Sequence, residues 1–140
     1  MRVIVTVGLC LTLILSIMCA AHATEEGEGK APSYVGKWLR IKKYANGKSL
    51  KVNETATLVL TEDSFTSDSR GVPGAECTNS GRLTIDGNKM TMKVTASTCP
   101  SIITVGSIVQ STYSVSTDWR RLTITNTEWG YTYKEVLKRQ

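Results

Sequence analysis

Histidine is nearly absent from this sequence: of 140 residues one is histidine, His22, and it falls in an N-terminal stretch that reads as a cleavable signal. Two of the four cysteines, Cys10 and Cys19, lie in the same stretch, so Cys77 and Cys99 are the only thiols beyond it. Without an imidazole, neither a Ser-His-Asp nor a Cys-His nucleophile can be assembled, and the usual zinc ligand sets cannot either. No P-loop, G-x-G-x-x-G or H-E-x-x-H motif occurs. The acids beyond the leader, among them Glu54, Glu62, Asp63, Asp118 and Glu135, read as turn or polar-face residues with no paired spacing. The expectation is a protein that is not an enzyme and needs no metal or cofactor. The body also has no window with the i, i+3, i+4 apolar recurrence of an amphipathic helix, which excludes helical architectures.

The first thirty residues specify a destination. Arg2 supplies a positive start, residues 3 to 18 form an apolar run, and Ala21-His22-Ala23 offers the small-x-small pattern cut by signal peptidase. The alternatives are a membrane anchor, for which sixteen apolar residues are short against a bilayer core of about 30 Å, and lipidation at Cys19, where Met18 is too large a neighbour. Cleavage after Ala23 sends the chain out of the cytoplasm, to a periplasmic, extracellular or secreted location, with no transmembrane segment. Residues 24 to 33, with Glu25, Glu26 and Glu28 and little to bury, read as a disordered acidic leader. One domain follows, 34 to 140. Its 15 basic and 9 acidic residues make it basic, yet Lys42-Lys43 and Arg120-Arg121 are its only adjacent basic pairs outside the tail. The charges therefore read as solvated strand faces rather than a nucleic-acid surface.

Short runs of valine, isoleucine, threonine and tyrosine alternate with polar residues, which is the period of a strand with one buried face. Eight strands are predicted, at 37–45, 55–61, 64–69, 77–85, 89–97, 107–116, 120–126 and 131–138. Asn46-Gly47 and Asp86-Gly87 signal hairpins, with both central residues of a type I′ turn at positive φ. Eight antiparallel strands with short connections close into an up-and-down barrel, which removes exposed edges. The competitor is a two-layer sandwich, which needs long crossovers that this chain lacks. In an exported domain Cys77 and Cys99 most simply form one disulfide, closing a loop of about 22 residues for about 3 kcal/mol. Asn53-Glu54-Thr55 is a glycosylation sequon for a source cell that glycosylates exported chains.

Three short constellations occur in a telling order. Gly36-Lys37-Trp38 is a G-x-W opening the first strand, Thr117-Asp118-Trp119 lies between the sixth and seventh strands, and Arg139 ends the eighth. In this the chain resembles the lipocalin family and the shorter lipocalin-like domains of exported proteins, calycin-type barrels, over nearly all of its body. The resemblance implies that Trp38 plugs the closed end of the barrel and that Arg139 lies over its ring, with Gly36, Thr117, Asp118 and Trp119 in structural roles. The chain departs from a typical lipocalin in having no segment for a helix after the eighth strand, which makes Lys138 a rival for Arg139. A further alternative is that Thr117 and Asp118 only form a turn.

An eight-stranded barrel is just wide enough to be filled by side chains or to hold one small ligand. The leading expectation is a monomeric binding protein for a small apolar or amphipathic molecule, with Tyr44, Phe65, Met90, Met92, Tyr113, Trp129 and Tyr133 lining the interior. The alternative is a solid barrel that acts as a protein-interaction or inhibitor module through its loops, notably Val72-Pro73-Gly74-Ala75 and Pro100-Ser101-Ile102-Ile103.

Overall fold

The computed structural model describes residues 32–71, 73, 74 and 76–140. The expected signal peptide, all of the expected acidic leader but its last two residues, and Val72 and Ala75 of the first suspected loop lie outside the described residues. The body is all β: β1 (Gly36–Ala45), β2 (Lys48–Leu50), β3 (Thr55–Leu60), β4 (Ser64–Arg70), β5 (Cys77–Asp86), β6 (Lys89–Ser97), β7 (Ile108–Val115), β8 (Arg121–Glu128) and β9 (Tyr131–Arg139). Every neighbouring pair is antiparallel, and β1 pairs with β9, so the sheet closes on itself. β2 and β3 lie end to end along one edge of β1, making eight staves from nine strands. β2 escapes the alternation pattern because all three of its residues are exposed and have no face to bury. It is the short return of the Asn46-Gly47 turn, whose φ values of 47° and 78° fit the expected I′ geometry.

Two hairpins differ from expectation in an instructive way. Asp86 stays in the ladder opposite Lys89, leaving Gly87-Asn88 as the central pair with only Gly87 at positive φ, the pattern of a type II′ turn. Glu128 pairs with Tyr131, which makes Trp129-Gly130 the tip of a turn with φ of 54° and 78°. Trp129 thereby sits at the turn tip and is 90% exposed, so it does not line the interior. Its indole N–H donates to the Glu128 carboxylate at 3.2 Å.

A second correction comes from β1. Arg40 lies opposite Leu137, but Lys42 lies opposite Val136, so Ile41 is one residue too many and bulges. Facing residues of paired strands share a side, and an extra residue inverts the side of everything after it. Simple alternation from Trp38 would turn Tyr44 inward; past the bulge it faces out beside Lys134, whose ammonium sits 4.8 Å from the Tyr44 ring centre.

The core lies toward one end of the barrel, where Trp38, Leu60, Met90 and Leu122 are fully buried. The indole N–H of Trp38 donates to the Tyr34 carbonyl at 2.9 Å, and the Arg139 guanidinium lies 4.3 Å from the Trp38 ring centre. Arg139 also donates to the carbonyls of Trp119, Val35 and Ser33 at 2.8, 2.8 and 2.6 Å. One side chain thus holds the chain segment before β1, the end of β9 and the turn before β8 together. Lys138 is exposed on the outer face and plays no part. Gly36, at φ 146°, is required here: a Cβ would sit 2.6 Å from an Arg139 nitrogen. Asp118 serves its own turn, accepting from the Ser116 hydroxyl at 2.5 Å and from the Arg120 N–H at 3.1 Å, while Thr117 is exposed. Cys77 and Cys99, with Cα atoms 5.4 Å apart, form the disulfide across the β5 and β6 ends.

Trp38→Ala is expected to cost about 3–5 kcal/mol, the range for emptying a buried aromatic site; a shift below about 1 kcal/mol in urea unfolding would contradict its role. The hydroxyl of Ser116 and the backbone N–H of Arg120 hold the Asp118 carboxyl below its ordinary pKa. A depressed carboxyl stabilises the fold above its unfolded pKa of about 3.9 and loses that contribution as pH falls through the folded value. The stability gap between wild type and Asp118→Asn should therefore be widest at neutral pH and close on acidification; a gap independent of pH would contradict this.

Candidate functional site

Inward residues change character along the strands. On β4 the inward series runs Phe65, Ser67, Ser69; on β8, Leu122, Ile124, Asn126; on β9, read back from its end, Leu137 then Glu135. Each runs from the buried core to polar side chains as it approaches the end carrying the 46–47, 71–76, 98–107 and 129–130 connections. Between them lies a cavity of about 290 Å³. Its inner part is walled by core residues, among them Leu58, Phe65 and Val94, and its outer part by Ser67, Ser69, Asn79, Ser111, Asn126 and Glu135. The shape is that of an amphipathic pocket at the low end of small-ligand sites.

A buried cation organises the polar side. Arg40, two residues after Trp38 and on the same face, has a side chain only 7% exposed. One guanidinium nitrogen donates to Glu135 at 3.0 Å and another to Glu54, whose oxygen it meets closely. Glu54 lies between β2 and β3, next to the first residue of β3, and meets the guanidinium from there. The Nε–H of Arg40 is buried without a hydrogen-bond partner. The carboxylates, 28% and 33% exposed, present the more accessible edge of the cluster. Sequence reasoning placed Glu54 and Glu135 among turn and polar-face acids and passed over Arg40; the signal available was its even spacing from Trp38.

Of the residues expected to line the interior, Phe65 and Met92 border this cavity. Met90 is fully buried in the core, and Tyr113 packs edge-on against Tyr34 with ring centres 5.7 Å apart, at the closed end. Burial, then the nearby Tyr113 and Glu62, raise the Tyr34 pKa. Tyr133 lies on the inner-face register two residues from Glu135, at the rim, its ring 6.3 Å from that of Tyr131. Tyr44 and Trp129 are outside, as described above.

The disulfide has a place in this site. Ile102 and Ile103 both donate backbone N–H bonds to the Cys99 carbonyl at 2.9 Å, and Ile103 forms part of the cavity wall. Cys99 is tied to Cys77 at the start of β5, so the bridge fixes the β6–β7 connection over the pocket. Opposite it, pairing of β7 with β8 stops at Thr112–Thr125. A depression in the resulting gap is lined by Ser111 and Asn126, which also border the cavity. Among the described residues, no group of three or more His, Cys, Asp or Glu is placed to hold a metal ion, and no helix is long and apolar enough to cross a membrane.

Among solved structures, this barrel is similar to the crystal structure of an uncharacterized protein from Bacteroides eggerthii DSM 20697. It has a TM-score of 0.52 and 15% identity, covering 76% of this chain and 99% of that one. At that identity the likeness shows a common fold alone. No protein-family model matches the sequence, and no curated protein matches it.

Arg40→Leu should cost about 2–3 kcal/mol, less than a fully buried pair because both carboxylates keep partial access to water. Adding Glu54→Gln and Glu135→Gln to Arg40→Leu should recover at least half of that loss, since the unpaired charges are then gone. Additive losses in denaturant titrations would show that the three groups are not coupled.

Proposed function

We propose that the protein is an exported lipocalin-like binding protein that takes a small apolar or amphipathic molecule into its barrel. The observation that carries this reading is the cavity of about 290 Å³, apolar toward the core and polar toward the mouth. A barrel filled by its own side chains would leave no such space. The closed-end arrangement of Gly36, Trp38 and Arg139 supports the lipocalin-like assignment, because it joins the residues on which the resemblance rests. Size limits the ligand: an engineered apolar cavity of about 150 Å³ takes benzene, so this one suits a molecule of about a dozen heavy atoms. Long-chain lipids would have to protrude. The reading assigns no catalytic step, no cofactor and no nucleic acid, and it takes the mature chain, cleaved near Ala23, to act as a monomer.

A second reading, a protein-interaction or inhibitor module working through loops, is favoured by one feature. Ile102 and Val105 of the β6–β7 connection and Trp129 of the β8–β9 turn are 62%, 52% and 90% exposed on the cavity-mouth side of the barrel. Exposed apolar groups gathered on loops suit recognition of another protein.

Native mass spectrometry of the protein secreted by its own cells, followed by organic extraction, distinguishes the two. Carriage predicts a bound small molecule that Arg40→Leu or Met92→Trp displaces. An empty protein whose interior takes up no fluorescent apolar probe would contradict carriage and leave the loop reading.

A further inference from the structure

The polar part of the cavity is built largely from uncharged side chains that have little in the protein to bond. Asn79 of β5 and Ser111 of β7 are only 4% and 7% exposed, and both line the cavity. The Asn79 amide meets the disulfide. Its Nδ2–H donates to Cys77 Sγ at 3.2 Å, and its Oδ1 lies 4.0 Å from Cys99 Sγ, which in a disulfide has no hydrogen to give. Sulfur is a weak acceptor, so the amide is poorly served at both ends. Among the described residues the Ser111 hydroxyl has no hydrogen-bond partner, and the side chains of Ser67, Ser69 and Asn126 on the same cavity wall have none either. Ser67 lies directly opposite Asn79 on β4. Ser111 and Asn126 are the next residues of β7 and β8 past their last pair, Thr112 and Thr125. Two walls of the barrel thus each offer a hydroxyl beside an amide.

Charge does not compete with this belt. Arg40 is the cation on the cavity wall, and it is committed to Glu54 and Glu135, with its Nε–H buried. Lys43 lies opposite Glu135 on the inner face, so two cations and two carboxylates stand together and their charges cancel. A charged ligand group entering the cavity would give up its hydration and find no free counter-charge. A purely apolar ligand would displace the water that serves these groups in solution and leave Asn79 and Ser111 unpaired. A sugar would set hydroxyls against Leu58, Phe65 and Val94 of the inner part.

We propose that the cavity selects an uncharged amphiphile whose polar end both donates and accepts hydrogen bonds, of which a primary carboxamide on a short apolar body is the simplest example. The inference rests on the carriage reading and adds the chemical class of what is carried. Serine hydroxyls and asparagine amides each donate and accept, so a head with both functions answers all of them, whereas an ether or ketone answers only their donors. Buried polar groups that need a partner discriminate strongly against an analogue that lacks it. The carboxylate and ammonium analogues of the same shape are rejected for want of a counter-charge.

The test titrates the isotope-labelled full exported chain at neutral pH with four probes of one shape: hydrocinnamamide, hydrocinnamate, phenylpropylamine and propylbenzene, with affinities read from chemical-shift changes. Hydrocinnamamide is expected to bind about tenfold or more tightly than each of the others. Met92→Trp, which fills the cavity, should abolish its binding. Combining Ser67→Ala with Ser111→Ala should bring the amide to within about threefold of propylbenzene without weakening propylbenzene, and Ser114→Ala, exposed on the outer side of β7, should change neither. The four-probe comparison needs only the wild type, so it decides the matter even if the double variant does not fold. Equal binding of amide and propylbenzene, tighter binding of the carboxylate or the amine, or an amide preference that survives the double variant would overturn the inference and leave carriage standing. Amide binding that survives Met92→Trp lies elsewhere and would overturn it too. Binding of none of the four would overturn carriage and this inference together.

Discussion

Closure of β1 against β9, with one surplus residue at Ile41, is the constraint on which the rest of this structure depends. Pairing of the first and last staves removes both sheet edges and makes an inside. The bulge then decides what that inside contains. Before Ile41 the inward residues of β1 are Trp38 and Arg40; after it the parity inverts, so Lys42 and Tyr44 go out and Lys43 turns in opposite Glu135. A strand without the bulge would point both Lys42 and Tyr44 into the barrel, filling the mouth with one cation and one ring. The same extra residue therefore keeps the Tyr44 ring off the inner face, puts Lys43 there in place of Lys42, and adds Lys42 to the outer face.

The two ends of the barrel solve different problems. At the closed end Arg139 uses three donors on three carbonyls and its flat guanidinium on the Trp38 ring, a cation–π contact worth about 0.5–2 kcal/mol. That concentrates dispersion, hydrogen bonding and charge in one buried cluster, which is how a chain of this length keeps a firm base. Toward the mouth the inward positions become serine, asparagine and glutamate, and core packing gives way to a pocket with an internal ion-pair cluster at Arg40. The buried guanidinium is stable there only because two carboxylates meet it. The disulfide belongs to the mouth, where hydrophobic packing is thinnest and the β6–β7 connection needs an anchor.

Much of this was legible in the sequence. Strand positions followed from alternation and turn dipeptides, because a half-buried strand must repeat every two residues and a tight hairpin needs residues that tolerate positive φ. Gly36, Trp38 and Arg139 could be matched to one another by their order along the chain. What stayed hidden shares one cause: it depends on register between strands far apart in sequence. Tyr44 changed sides through the bulge in its pairing with β9, and Trp129 lies outside the interior because Glu128 and Tyr131 close the hairpin around it. Arg40, Glu54 and Glu135 are separated by up to 95 residues and look like surface charge until closure brings them together.

The seam between β1 and β9 is therefore where the account is most exposed to test. Nuclear Overhauser contacts between β1 and β9 in the labelled protein read the pairing residue by residue. The account predicts contacts placing Arg40 opposite Leu137 and Lys43 opposite Glu135, with Ile41 lacking a partner. Regular pairing of Ile41 with Val136, or no contact between the two strands, would contradict it and with it the pocket.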